Sequence, residues 1–249
     1  MFENIIHFKS NRFTIDDKEN HPIPCKLNIP DWYKNLSHNE ELPTIKGCIP
    51  FLETLTSGYL LKMPRDYYIS HNSFDESKKR ATKFQSSQHF LHNDDVFHVN
   101  INSKNNLQLH SVKQLGKECP FTHKNKDLPF HKILNPWIIQ TPPGYSCLFL
   151  PPLNNTDDRF SIIPGIVDTD TFLSEVNFPF IVNGDKYPIL ETTIKKNTPY
   201  VQVIPFKRDN WKMKIEKQDE ALNKKIKFKL GTYILHNYKR VFWSKRSWK

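Results

Sequence analysis

The feature that most constrains the fold is the stretch from Leu134 to Lys207, where short apolar runs alternate with turn-forming residues. The runs are separated by Pro142-Pro143-Gly144, by Asn183-Gly184-Asp185 and by a Lys-Asn-Thr-Pro segment. Short apolar and β-branched runs bounded by Gly, Pro and Asn are typical of β-strands. We therefore predict a core of short strands. It should contain a hairpin at Asn183-Gly184, since both residues tolerate positive φ, and a turn that Gly144 completes.

The rest of the first 207 residues is predicted to join the same fold. Further strands are expected at Tyr59–Met63 and Tyr67–Ile69, because both are apolar and aromatic segments flanking a Pro-Arg-Asp turn. Residues 70–126 are polar and weakly periodic, which is typical of an insertion on a domain surface. Within that insertion, the alternation at Phe97–Ile101 predicts one strand. The fold class is therefore mainly β, with a single β-rich domain at residues 1–207.

The C-terminal extension, residues 208–249, differs in composition from the rest of the chain. Residues 207–249 hold 14 of the 36 Lys and Arg residues but only 4 of the 26 Asp and Glu residues, so they carry the whole net charge of +10. The apolar spacing there changes to that of a helix, which we place at residues 215–240. We therefore predict a basic helical extension.

The final residues, 236–249, interleave aromatic with basic side chains. The candidate binding residues are Lys239, Arg240, Trp243, Lys245, Arg246 and Trp248. Cations that contact phosphates, together with aromatic rings that stack on bases, suit a nucleic acid. The same composition suits an acidic protein surface, and it also suits a helix whose aromatic side chains dock on the core. The sequence leaves these three interpretations open.

Location and membrane association are constrained by what the sequence lacks. It contains no run of 18 apolar residues, so we predict no membrane span. The first residues lack the basic start, apolar middle and small-residue cleavage site of a signal peptide. The four cysteines form no CxxC pair, which is typical of a reducing compartment. We therefore expect a cytoplasmic protein, located in a host cell or a virion if a phage encodes it.

The segment GIVDTDTF, residues 165–172, contains the strongest candidate for a chemical site. If it were a strand, Asp168 and Asp170 would lie on one face, where paired carboxylates could bind a divalent metal or divide acid and base roles. Alternatively, the segment is a polar strand edge or a turn in which both carboxylates accept backbone N–H groups. This second interpretation is the one that we favour from this segment alone.

The order of these segments resembles that of the trimeric dUTPases and the related dCTP deaminases. GIVDTDTF is similar to their GxxDxDY hairpin, PPGYSCLFLPPL to a PxGxxxxxxPRS stretch, and TSGYLLKM to an AGYDL strand. KKNTPYVQVI keeps Gln202 from a further motif. The resemblance implies a dUTPase-like β-clip fold, a distorted barrel of short strands, and a homotrimer. It would make Asp168 a catalytic base or metal ligand and place Gln202 near the base or sugar of a nucleotide.

The departures from that family fall on its catalytic positions. Leu60 replaces the acidic residue of AGYDL, Pro152 and Leu153 replace the phosphate-contacting Arg-Ser, and Thr171 replaces the tyrosine. The Gly-rich C-terminal segment is also missing. A triphosphate needs a metal ion and several donors to balance its charge. The resemblance therefore argues for the fold and against that enzymatic activity.

A second resemblance covers most of the chain. The segments IPDWYKNL, TSGYLLKMP, NPWIIQTPPGYSCLF, GIVDTDTF, VNFPFIV and VQVIPFKR look like those of an uncharacterised family found in bacteriophages and bacteria. We favour a non-catalytic, phage-type structural or binding protein. The alternatives are a nucleotide-processing enzyme that uses Asp168 and a nucleic-acid binder that uses its tail.

The eleven histidines do not form a standard metal motif. His89, His92 and His98 are near one another in the insertion, and Cys119 and His123 are four residues apart. Zinc sites usually show closer paired spacing than this, and no HExxH motif, nucleophile elbow or Gly-rich phosphate loop is present. We predict neither a metal ion nor a cofactor.

Overall fold

The computed structural model describes residues 4–39, 41–74, 81–86, 109–231 and 237–249. Within these ranges the strands are β1 (His7–Lys9), β2 (Ile23–Pro24), β3 (Tyr59–Lys62), β4 (Tyr67–Asn72), β5 (Ala81–Ser86), β6 (Leu109–His110), β7 (Phe130–Ile133), β8 (Ile138–Gln140), β9 (Tyr145–Leu150), β10 (Phe160–Ile162), β11 (Gly165–Val167), β12 (Phe178–Val182), β13 (Ile189–Ile194) and β14 (Pro199–Lys207). The helices are α1 (Arg12–Asp16), α2 (Asp31–Asn35), α3 (Ile49–Thr56), α4 (Val112–Leu115), α5 (Pro120–Lys124), α6 (Glu220–Gly231) and α7 (Asn237–Val241). The protein is mainly β, as its sequence predicts.

The chain divides into two compact units, each built from two segments. The first unit contains Met1–Pro22 and Leu60–Phe206, and the second contains Ile23–Tyr59 and Lys207–Lys249. The expected single domain at residues 1–207 stays a prediction. Of the helices that are described, none is long and apolar enough to cross a lipid bilayer.

The first unit holds the strands that surround the main core. Its sheets have the strand orders β1-β8, β10-β12-β7-β6, β11-β9-β14-β3 and β13-β4-β5. In the described ranges these are separate sheets and do not close into a barrel. Antiparallel pairing aligns Phe178 of β12 with Ile133 of β7, and Thr192 of β13 with Ile69 of β4.

Alternating side chains of these strands form one hydrophobic core. Ile133, Phe149, Phe180 and Val203 are each at most 1% exposed, and they belong to a cluster that also includes side chains of β3 and β4. Because successive strand residues point to opposite faces, one apolar residue in two suffices to build such a core. The predicted strand content of residues 134–207 and of the two earlier strands is confirmed.

The second unit is held together by aromatic and polar contacts. Tyr33 of α2 is buried and stacks on Phe51 of α3, with ring centroids 5.8 Å apart. Its hydroxyl donates to the carbonyl oxygen of Lys46 at 3.3 Å. Such contacts fix short helices that would be unstable alone.

The predicted helix at residues 215–240 is only partly correct. α6 begins at Glu220, and residues 208–219 form neither helix nor strand. α7 covers part of the remaining range, whereas residues 232–236 lie outside the described residues. The predicted strand at Phe97–Ile101 also lies outside them.

Candidate functional site

The turn before β9 is the anchor for the Asp168–Asp170 segment. Gly144 has a φ of +83°, and Tyr145 N donates to the carbonyl oxygen of Pro142 at 3.3 Å. Pro143 followed by a glycine with positive φ is the usual sequence of a type II turn. Gly144 N donates to Asp170 Oδ2 at 2.8 Å. The carboxylate of Asp170 therefore fixes this turn, and the prediction for Gly144 is confirmed.

Asp168 and Asp170 lie in a turn that follows β11, outside any strand. Asp168 Oδ1 accepts from Ser146 Oγ at 2.6 Å, and its carbonyl oxygen accepts from the backbone N–H of Phe172 at 2.9 Å. Ser146 is 1% exposed, so its hydroxyl is closed to a substrate from solution. Together these bonds form what we call the Asp168–Asp170 clasp, which ties this turn to the start of β9.

A buried threonine completes the clasp. Thr169 is fully buried, and its Oγ1 lies 2.8 Å from Thr141 Oγ1 and 3.3 Å from Cys147 Sγ. Burial raises the pKa of the Cys147 thiol to about 11, although the hydrogen bond with Thr169 acts in the opposite direction. Since the thiolate is the reactive form of cysteine, Cys147 is an inert core side chain.

Gln202 belongs to a different part of the unit. It lies on β14, is 2% exposed, and its Oε1 accepts from Leu153 N at 2.9 Å. Leu153 follows the end of β9, whereas Ser146, the partner of Asp168, lies near its start. The structure therefore brings Asp168 and Asp170 together near the start of β9. Gln202 lies instead near the end of β9, where it holds the loop that contains Leu153.

The C-terminal residues dock within the second unit. Trp243 Nε1 donates to Glu53 Oε1 at 2.9 Å, and Arg246 donates to Glu53 Oε2 at 2.7 Å. The ring of Trp248 meets Tyr59 edge-on, with centroids 6.0 Å apart. Three of the six candidate tail residues thus contact their own unit. The other three, Lys239, Arg240 and Lys245, are exposed.

The candidate metal-binding side chains are used in other ways where they are described. His123 Nδ1 lies 3.4 Å from Asp127 Oδ1, and His110 Nδ1 lies 2.6 Å from Gln114 Oε1. In the part of the chain that the structure describes, no group of three or more His, Cys, Asp or Glu side chains could hold a metal ion. The histidines at positions 89, 92 and 98 lie outside that part.

The structure contains a cleft that the sequence did not indicate. It has a volume of about 440 Å³ and is lined by Ser73, Phe74, His123, Lys126, Asp127, Gly184, Asp185 and Pro188. We call it the Lys126 cleft. Lys126 forms an ion pair with Asp185, and this hydrogen bond lowers the pKa of the Asp185 carboxyl group. The volume is within the range of small-molecule sites, and its lining is mixed in charge.

Two consecutive residues of this cleft have left-handed backbone. Lys126 and Asp127 have φ values of 57° and 56°, which is unusual for residues other than glycine. The preceding residue, Asn125, is 1% exposed and holds this segment in place. Its Nδ2 donates to the carbonyl oxygen of Leu128 at 2.9 Å, and its Oδ1 accepts from Val182 N at 2.9 Å. Such backbone persists only where surrounding contacts impose it.

Gly184 forms the opposite wall of the cleft, and the predicted hairpin there is wrong. The residue links β12 to β13, which belong to different sheets, and its φ is not in the left-handed region. Its N–H donates to the carbonyl oxygen of Lys124 at 2.9 Å. A Cβ at this position would lie 2.6 Å from Lys126 Cγ. Glycine is required for close approach and not for its turn conformation.

His71 lies behind this wall and makes stability depend on pH. Burial, and next the charge of Lys126, lower the pKa of His71. Because the unfolded chain then binds the proton more tightly, stability is complete above about pH 6.5, the pKa of an unfolded histidine, and falls as the pH drops below it. We expect His71→Gln to show a smaller loss of unfolding free energy between pH 7.5 and pH 5.5, measured by urea denaturation.

The matched control for this measurement is His7→Gln, which replaces an exposed histidine. It should retain the full difference between the two pH values. Equal pH dependence in both variants and the parent would contradict the assignment to His71.

Comparison with known proteins gave no match to any family model and no match among the curated proteins. The candidate sites are therefore interpreted from their geometry alone.

Proposed function

We propose that this protein is a non-catalytic structural or binding protein that functions as an assembly of identical copies. The observation that carries this proposal is the Asp168–Asp170 clasp, in which both carboxylates hold the turn and the start of β9. Asp170 accepts from Gly144 N and Asp168 accepts from Ser146 Oγ, and these bonds favour a structural role for both side chains over the role of a base or metal ligand. The proposal includes a dUTPase-like β-clip core and a homotrimer, both expected from the resemblance in sequence.

We further propose that the protein is of bacteriophage type and acts in the host cytoplasm or in a virion. This rests on the resemblance of its segments to a family of bacteriophages and bacteria. Fold alone does not determine function, so the non-catalytic role is argued from the sites described above and the bacteriophage type from the resemblance in sequence.

Thermal-shift measurements with each deoxynucleoside triphosphate and Mg²⁺ test whether the protein binds a nucleotide, as the alternative enzyme would. A nucleotide that binds, at 100 times its Kd, would stabilise the fold by about 2.7 kcal/mol and raise the melting temperature by several degrees. We expect no nucleotide to bind, and therefore no rise above about 1 °C in the parent protein. Replacing Mg²⁺ with EDTA is the control. Stabilisation by one nucleotide that is lost in Asp168→Asn would favour the enzyme instead.

A nucleic-acid role for the tail receives less support. Base stacking needs exposed aromatic rings, but Trp243 donates to Glu53 and Trp248 packs against Tyr59, which leaves Tyr238 and Phe242 as the exposed rings of the tail. The remaining exposed cations are compatible with an acidic surface of any kind. We therefore keep nucleic-acid binding as the weaker alternative.

A further inference from the structure

The segment that follows β14, from residue 208 to residue 231, leaves several large apolar side chains exposed. We call residues 208–231 the arm. Trp211, Met213 and Ile215 are 89%, 89% and 88% exposed, and Phe228 is 79% exposed. Contiguous exposed apolar surface of this kind is typical of a surface that binds a partner.

Neither half of the arm contains a buried side chain. α6 has twelve residues, none of which is buried. A helix of this length is marginal in water unless one face packs against another element. In the preceding half, apolar residues at 211, 213 and 215 alternate with lysines at 212 and 214. This period of two is that of a β-strand with one apolar face and one charged face.

The first unit presents a complementary surface, which we call the acidic edge, at residues 165–175. β11 is the terminal strand of its sheet, so one of its edges is not paired with a described strand. Ile166, Phe172 and Leu173 are 63%, 47% and 57% exposed. The acidic edge contains three acidic residues and no lysine or arginine, whereas the arm contains eight basic and four acidic residues.

We propose that the arm of one copy adds as a β-strand to the acidic edge of a second copy of this chain. Main-chain hydrogen bonds to β11 would supply pairing, and alternate side chains would supply specificity. The apolar face of residues 211–215 would cover Ile166 and Leu173, and the opposite charges would fix the orientation. This inference rests on the proposed function as an assembly, and it identifies the contact that joins the copies.

The geometry of such a contact limits the assembly that it can build. The arm and the acidic edge are different surfaces, so each copy donates one and offers the other. Contacts of this head-to-tail type close into rings when the rotation between copies permits it. A ring of three copies is the form that agrees with the proposed homotrimer.

Cysteine cross-linking between two variants tests the contact directly. Ile166→Cys and Met213→Cys are purified separately, mixed and oxidised with copper phenanthroline. We expect a covalent heterodimer on a non-reducing gel, because each introduced thiol is carried by a different chain. The controls mix each variant with the parent, because the native Cys48 and Cys119 are partly exposed whereas Cys25 and Cys147 are buried.

Light scattering after size-exclusion chromatography tests the contribution of the apolar face. The parent should elute as a multiple of 29.5 kDa. Met213→Glu combined with Ile215→Glu should raise the dissociation constant at least about tenfold, because well-packed apolar anchors dominate interface affinity. Leu27→Glu, which replaces a 67% exposed residue outside both surfaces, is the matched control and should leave the mass unchanged.

Charge reversal tests the orientation. Glu175 is exposed on the acidic edge. Glu175→Lys should weaken assembly, because the introduced positive charge would face the lysines of the arm. Adding Lys214→Glu should restore part of the loss. Both substitutions affect exposed side chains, so an unchanged melting temperature will verify that the units remain folded.

The outcomes separate this inference from the proposed function. A parent protein that stays monomeric at every concentration measured would overturn both. A parent that assembles but whose mass is insensitive to the arm substitutions would overturn the inference alone. A mixture of the Ile166→Cys and Met213→Cys variants that gives no more covalent dimer than either variant mixed with the parent would also overturn the inference.

Discussion

Replacing Asn125 with alanine is expected to lower the free energy of unfolding by about 2–5 kcal/mol. The amide of Asn125 bonds to the carbonyl oxygen of Leu128 and to Val182 N, each at 2.9 Å, and the side chain is 1% exposed. Alanine would leave both backbone groups without this partner in a region closed to water. Relaxation of the left-handed backbone at Lys126 and Asp127 would offset only part of this loss.

Urea denaturation followed by tryptophan fluorescence measures this loss. Asn35→Ala, at an exposed position of α2, is the matched control, and its effect should stay within about 0.5 kcal/mol. A loss below about 1 kcal/mol in the Asn125 variant would indicate that water replaces the amide, and that the Lys126 cleft does not depend on it.

Gly184→Ala is expected to lower the free energy of unfolding by about 1–3 kcal/mol through overpacking. The added Cβ would lie 2.6 Å from Lys126 Cγ and 3.1 Å from both His71 Nε2 and the carbonyl oxygen of Lys124. The side chain of Lys126 can rotate away, but the carbonyl oxygen belongs to a backbone that is hydrogen-bonded to Gly184 itself. The bond between α5 and the β12–β13 link would therefore lengthen.

The matched control is Gly165→Ala, where no atom lies within 4 Å of the added Cβ. This substitution should be neutral within about 0.5 kcal/mol. Combining Gly184→Ala with Lys126→Ala removes the nearest obstructing atom and should recover part of the loss, which identifies the steric cause. A neutral effect of Gly184→Ala alone would contradict the crowding described for the cleft wall.

The strands were predictable because a half-buried strand leaves a local pattern in sequence. The run that forms β9 lies between a Pro-Pro-Gly turn and a Pro-Pro pair, and from Cys147 to Leu150 it alternates buried and partly exposed side chains. Pattern and turn residues agree there, so the assignment does not depend on distant contacts. The turn favoured at Asp168–Asp170 is present, but only Asp170 accepts a backbone N–H group, from the distant Gly144, whereas Asp168 accepts from the hydroxyl of Ser146.

The sites were less predictable because they depend on residues that are distant in sequence. Asn183-Gly184 has the composition of a hairpin turn, but the next strand pairs with β4 and not with β12. Only the proximity of Lys126, 58 positions earlier, explains the glycine. Likewise, the apolar residues at 211, 213 and 215 do not have the spacing of a helix, and only the three-dimensional structure shows that they are exposed.

The bond between Glu53 and Trp243 joins residues that are 190 positions apart. During synthesis on a ribosome, the segment 23–59 emerges long before the residues that complete its unit. The second unit can therefore mature only after Trp243 and Arg246 have been synthesised, whereas nearly all of the first unit is by then available to fold. A stop codon at position 243 would spare every described strand of the first unit and still leave the carboxylate of Glu53 without its indole and guanidinium donors.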